Sequence, residues 1–94
     1  MNKYESVIIV NPNLDEAGIK ALEEKFTGLI NENGKVEAVE NMGKKRLAYE
    51  IKKFKEGTYM LFNFEANPDS IKELERVYRI TDEVLKFITT RNID

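Results

Sequence analysis

The sequence predicts an α+β fold whose elements follow the order β-α-β-β-α-β. Two stretches place apolar residues at helical spacing, and four others are β-branched or alternate apolar with polar. Turn chemistry in "NPN", "NENG" and "NPD" separates several of them. This order is the ferredoxin-like split βαβ arrangement. With both crossovers right-handed, the two helices share one face of a four-stranded antiparallel sheet of order 4-1-3-2. Strand two is then an edge. One such domain is expected over residues 1–94.

The first strand spans Tyr4–Val10 and stops at "NPN". Val7, Ile8, Ile9 and Val10 run consecutively, which suits a central strand covered on both sides. "MNKYESVIIVNPN" is therefore expected to be a buried strand rather than a signal peptide, since charged Glu5 precedes the apolar run. Ile19, Leu22, Phe26, Leu29 and Ile30 form a helix stripe. Asn13 or Asp15 suits its start, and Asp15 and Glu16 suit the positive end of its dipole. "NENG" ends it, with Gly34 expected in the left-handed conformation. Gly18 and Gly28 within the helix each cost about 1 kcal/mol against alanine, so packing must hold it.

A long extended region follows at about 35–52, interrupted at "NMG", where a bulge at Met42–Gly43 is expected. In "RLAYEIKK", Leu47, Tyr49 and Ile51 alternate with Ala48, Glu50 and Lys52, giving one buried and one wet face. "KFKEG" reads as a turn, and "TYMLFNFEA" as the returning strand of a hairpin. Met60, Phe62 and Phe64 share one of its faces; Tyr59, Leu61 and Asn63 share the other. "NPDSIKELERVYRI" is the second helix, with Asn67 as cap, Pro68 in the first turn, and Ile71, Leu74, Val77 and Tyr78 as its stripe. Val84–Thr90 is the last strand.

Composition narrows the chemistry. There is no Cys and no His, so disulfides, thiolate chemistry and the usual zinc ligands are absent. The commonest acid-base group near neutral pH is missing too. No apolar run approaches the ~20 residues that cross a bilayer. Glu5, Glu50 and Glu65 have no partner base or nucleophile, so they read as solvated acids. These features point to binding rather than catalysis.

The charge is uneven. Formal net charge is −2, yet residues 43–55 hold six bases (Lys44, Lys45, Arg46, Lys52, Lys53, Lys55) against Glu50 alone. That segment is +5, leaving −7 on the other 81 residues. A local positive surface suffices to bind a polyanion. The competing reading is a lysine-rich strand edge that resists aggregation.

"GKKRLAYEIK" closely resembles the signature stretch of the bacterial ribosomal protein S-six family, matching at Gly43, Lys45, Arg46, Leu47, Ala48, Tyr49, Ile51 and Lys52. "YESVIIVNPNL" resembles that family's opening, "EGTYMLFNFEA" its third strand, and "ELERVYRITDEVLKFITT" its second helix and fourth strand. The resemblance implies a non-catalytic, cytoplasmic component of the small ribosomal subunit. It implies binding to the central domain of 16S ribosomal RNA together with ribosomal protein S-eighteen, with no cofactor, membrane or small-molecule substrate. Some members carry an extended C-terminal tail. This sequence stops at Asp94, so contacts by such a tail are not expected.

The candidate RNA contacts are Lys3, Lys44, Lys45, Arg46, Lys52, Lys53, Lys86 and Arg91. Lysines neutralise phosphates, and an arginine fork holds one bidentately. Lys3, Lys86 and Arg91 are expected near one another, since strands one and four are neighbours. Met42, Leu47 and Tyr49 are the candidate partner contacts at the edge, although Leu47 and Tyr49 equally suit the core under the helices. Tyr59 alone is too little for the base-stacking sheet of RNA-recognition-motif domains. Two other functions of this topology remain as alternatives: a dimeric regulatory domain that binds a small ligand, and an acylphosphatase-like enzyme. The first needs a polar pocket with a Gly-rich loop, and the second a phosphate loop with a catalytic Arg; neither motif is present.

Overall fold

The computed structural model describes residues 1–92; Ile93 and Asp94 lie outside it. The elements are β1 (Asn2–Val10), α1 (Glu16–Asn33), β2 (Gly34–Ile51), β3 (Phe54–Ala66), α2 (Pro68–Ile80) and β4 (Val84–Arg91). They form one antiparallel sheet of order β2-β3-β1-β4. The expected topology is therefore present, with β2 at one edge and β4 at the other.

Alternation decides the two faces. Tyr4, Ser6, Ile8 and Val10 of β1 lie opposite Phe64, Phe62, Met60 and Thr58 of β3. These residues are buried, and most join one core with Leu22, Phe26 and Ile30 of α1 and Leu74 and Tyr78 of α2. Both helices thus cover the same face. Phe26 stands at the centre, edge-on to Phe62 at 6.3 Å and to Tyr78 at 4.9 Å between ring centres. Such pairs add to the burial energy of the rings themselves.

Local chemistry sets the helix ends. The Asp15 carboxylate accepts from the Gly18 amide at 2.8 Å and caps α1. Asn67 holds the cap position of α2, but its side chain does not cap; its carbonyl accepts from the Ser70 hydroxyl at 2.7 Å instead.

Two expectations are corrected. Gly34 is extended, at φ −171°, not left-handed, because β2 begins there without a loop. Glycine is needed for a different reason: a β-carbon at Gly34 would collide with the Glu65 carbonyl oxygen. The hairpin turn is Lys52–Lys53 rather than "KFKEG", since Ile51 already pairs with Phe54. Gly57 lies within β3, packed against Ile9.

The bulge at Met42–Gly43 is present. Asn41 opposes Met60 and Gly43 opposes Tyr59, so Met42 is the extra residue. Gly43 has φ +82°, and its amide donates to the Asn41 side chain at 2.9 Å. A second bulge falls between Val36 and Ala38.

Candidate nucleic-acid interface

The cationic segment occupies the far half of the β2–β3 hairpin. α1 covers the first half of β2 through Val36 and Val39, which are half-buried against the core. Beyond Gly43 the ribbon is free of the helices, and Lys44, Lys45 and Arg46 are exposed. Two ion pairs occur among the described residues, Lys3–Glu37 and Glu73–Arg76, and neither uses these three side chains. Lys44 opposes Thr58 on the helix side. Lys45 opposes Gly57 on the other, where its ammonium sits 5.6 Å from the centre of the Tyr59 ring. The three cations therefore straddle the edge rather than share a face, as strand geometry requires.

A larger irregularity follows. Between the Arg46–Glu56 and Ile51–Phe54 pairs, residues 47–50 of β2 face Lys55 alone. The surplus chain arches over the helix-free face. Leu47, 9% exposed, packs there with Ile9 and Leu85, flanked by Ile51, Phe54 and Tyr59. It fills neither the core under the helices nor an open edge. Tyr49 stays 63% exposed and reaches β4, where the Lys86 ammonium donates to its hydroxyl at 2.8 Å and lies 5.4 Å from its ring centre. That hydrogen bond, then the charge on the tyrosine oxygen, holds the Lys86 pKa above the ordinary lysine value; Tyr59 adds to this more weakly. Lys52 donates to the Val84 carbonyl at 3.4 Å. A hairpin rooted at one sheet edge thus contacts the strand at the opposite edge.

The turn itself is strained. Lys52 and Lys53 have φ of 48° and 71°, a conformation in which Asn-Gly is the favoured pair. Left-handed backbone costs roughly 1 kcal/mol or more for a residue with a β-carbon. The two lysines are kept at the tip against that preference.

The remaining basic residues divide differently from the expectation. Lys3 and Arg91 are close: Asn92 donates its amide to the Lys3 carbonyl at 2.8 Å, and Arg91 opposes Tyr4. Lys3 pairs with Glu37 at 3.8 Å, and Arg91 donates to the Asn2 side chain at 3.3 Å. Lys86 opposes Ile9, at the other end of β1 from Lys3. Six residues of extended chain separate those ends by ~20 Å. Lys86 belongs with the hairpin cations, not with Lys3 and Arg91.

The sequence set Tyr59, Leu61 and Asn63 on the face of β3 away from the helices, but none of them, nor Val7 or Ile88, was named as a partner contact. Val7 and Leu61 are cross-strand partners there, and Val7 also opposes Ile88, which is 53% exposed. Val7, Ile9, Tyr59, Lys86 and Ile88 line a shallow depression of about 210 Å³. The signal was available: apolar residues at odd positions of β1 repeat at odd positions of β3. Met42, 38% exposed, is the bulged residue of the edge strand β2.

Residues 3–91 match the family described as Ribosomal protein S6. The small ribosomal subunit protein bS6 of Clostridium perfringens is 51% identical over 92 residues, 97% of each chain. The proteins of the same name from Clostridium botulinum and Clostridium kluyveri are 55% and 52% identical, over 92% and 98% of this chain. The crystal structure of 30S ribosomal protein S6 from Thermotoga maritima superposes with a TM-score of 0.91 at 40% identity, covering 97% of this chain and 87% of that one. These are structural proteins, so the acylphosphatase-like alternative falls away. With nearly its whole length matched in sequence and in fold, the chain belongs to the ribosomal protein S6 family.

Proposed function

We propose that the protein is a structural component of the small ribosomal subunit in the cytoplasm, binding the central domain of 16S ribosomal RNA jointly with ribosomal protein S-eighteen. One observation carries the reading: Lys44, Lys45, Arg46, Lys52, Lys53 and Lys55 are exposed on a ribbon that the helices leave uncovered. Their charges face solvent, where phosphate contacts release counterions. The strained lysine turn supports it, because backbone strain persists where a side chain has work to do. Lys86 joins this cluster; Lys3 and Arg91 form a second, smaller contact at the far end.

The partner's place is the apolar centre of the helix-free face, with Lys86 and the hairpin cations at its border left to the RNA. Val7, Leu61 and Ile88 form an apolar centre rimmed by polar side chains, the composition of a protein interface. Tyr49 borders it through its contact with Lys86, and exposed Met42 offers a further contact on the β2 edge. Leu47 supports that border from beneath. The cationic patch is small, so a partner that adds surface and charge makes joint binding tighter than either protein alone.

The test is binding of the purified protein to central-domain RNA, with and without S-eighteen. Tight complex formation is expected only with both proteins present. Strong binding without the partner would contradict the cooperative part of the reading.

A further inference from the structure

We propose that Tyr49 is a positioning residue, holding the Lys86 ammonium at a fixed point over the helix-free face so that it meets an RNA phosphate without first being ordered. This deepens the proposed function and rests on its RNA-binding reading. A row crosses the sheet: Lys45 of β2 lies over the Tyr59 ring of β3, Ile9 of β1 pairs with both Tyr59 and Lys86, and Tyr49 closes over Lys86. Each lysine is thus set against an aromatic ring. A free lysine loses rotamer freedom when it binds a ligand; one already held by a ring and a hydroxyl has lost it in folding. The contact leaves Lys86 competent. An ammonium has three donors, and Tyr49 takes one, so two remain for phosphate oxygens.

Tyr49 is suited to this role and to little else in the fold. It is the most exposed tyrosine of the hairpin, and its ring lies outside both apolar clusters. The arch that carries it is anchored by Leu47, two residues earlier, so the ring's place over β4 does not depend on its own burial. Across the sheet the contact joins residues 37 apart in sequence.

The experiment compares wild type with Tyr49→Phe, Tyr49→Leu, Lys86→Ala and Lys86→Arg. The Lys86 pKa is measured by NMR on the free protein. Affinity for central-domain RNA with the partner present is measured over a range of salt. Phenylalanine keeps the ring and loses the hydroxyl. It should lower the Lys86 pKa, with leucine lowering it further. Tyr49→Leu should weaken RNA binding about three- to tenfold, the effect of one unordered long side chain. In Lys86→Ala, Tyr49→Leu should add nothing, and Lys86→Arg should retain most of the affinity. Loss of the same size from Tyr49→Leu in both backgrounds overturns the positioning role, as does a Lys86 pKa unmoved by either tyrosine variant. Failure of the underlying reading looks different: Lys86→Ala would leave both the affinity and its salt slope unchanged. Circular dichroism melts identify any variant that fails to fold, and Tyr49→Phe then carries the comparison.

Discussion

The α-carbon of Gly34 packs so closely on the backbone of Glu65 that any side chain at position 34 would overlap the Glu65 carbonyl oxygen. α1 runs into β2 with no linker, Asn33 ending the helix and Gly34 opening the strand. Gly34→Ala must push β2 away from β3 at their first pair. A destabilisation of about 1–3 kcal/mol is expected, in the range of overpacked interiors, measured by urea unfolding.

Gly28 is the opposite case. It lies exposed in the middle of α1, and a β-carbon there meets nothing within 4 Å. Gly28→Ala should stabilise the protein by about 0.5–1 kcal/mol through helix propensity alone. An unchanged or lower urea midpoint would count against this.

Tyr78 carries a buried hydroxyl with no hydrogen-bond partner. Burial pushes its pKa up to about 12; the neighbouring Ser6 hydroxyl opposes the rise, and Glu75 adds to it slightly. Ser6 is already bonded to Thr89 at 2.8 Å. The neutral phenol is thus favoured by folding. Its contribution is complete below the unfolded-state value near 10 and is lost as pH rises toward 12. The span is worth about 2–3 kcal/mol. Tyr78→Phe should remove that part of the alkaline loss. At neutral pH it should be neutral or stabilising by up to about 1 kcal/mol, because an unsatisfied polar group leaves the core. Urea unfolding of both proteins from pH 8 to 12 checks both expectations.

Replacing Lys44, Lys45 and Arg46 together by alanine should leave the fold nearly unchanged, since exposed substitutions typically stay within about 0.5 kcal/mol each. Assembly with RNA and partner should weaken, and the salt slope should fall by roughly 2–3 for three lost phosphate contacts. Full assembly by this variant would remove the cluster from the interface.

Changing Lys52–Lys53 to Asn-Gly should separate stability from function. The turn gains its preferred residues, so stability should rise by about 1 kcal/mol or more. RNA binding should weaken at the same time. A variant both more stable and equally able to bind would show that the tip lysines do nothing for RNA.

Regular elements were legible because their periods are local. The stripe through Leu22, Phe26 and Ile30 and the alternation through Met60, Phe62 and Phe64 point to the core with no knowledge of neighbours. The Met42–Gly43 bulge was legible from one glycine. The arch was not. Leu47, Tyr49 and Ile51 alternate as in a regular strand, but β2 carries four residues there against one of β3, so parity no longer tells the face. The turn was misplaced because Gly57 suggests a loop, whereas the chain bends at two lysines that disfavour bending. Lys86 was grouped with Lys3 because adjacency of strands says nothing of register, and register sets them at opposite ends of β1.

The two edges of the sheet are unequally guarded. Along β2, kinks at Glu37 and Met42 and the arch before Ile51 interrupt the ladder that a second copy would have to extend. From Lys86 to Arg91, β4 keeps an unbroken register with β1 and carries β-branched Ile88, Thr89 and Thr90. When newly made chains outnumber the ribosomes under construction, sticking between copies should begin at β4, and a Thr90→Lys change, opposite Glu5 and away from the apolar centre, would be the simplest way to keep such a surplus dispersed.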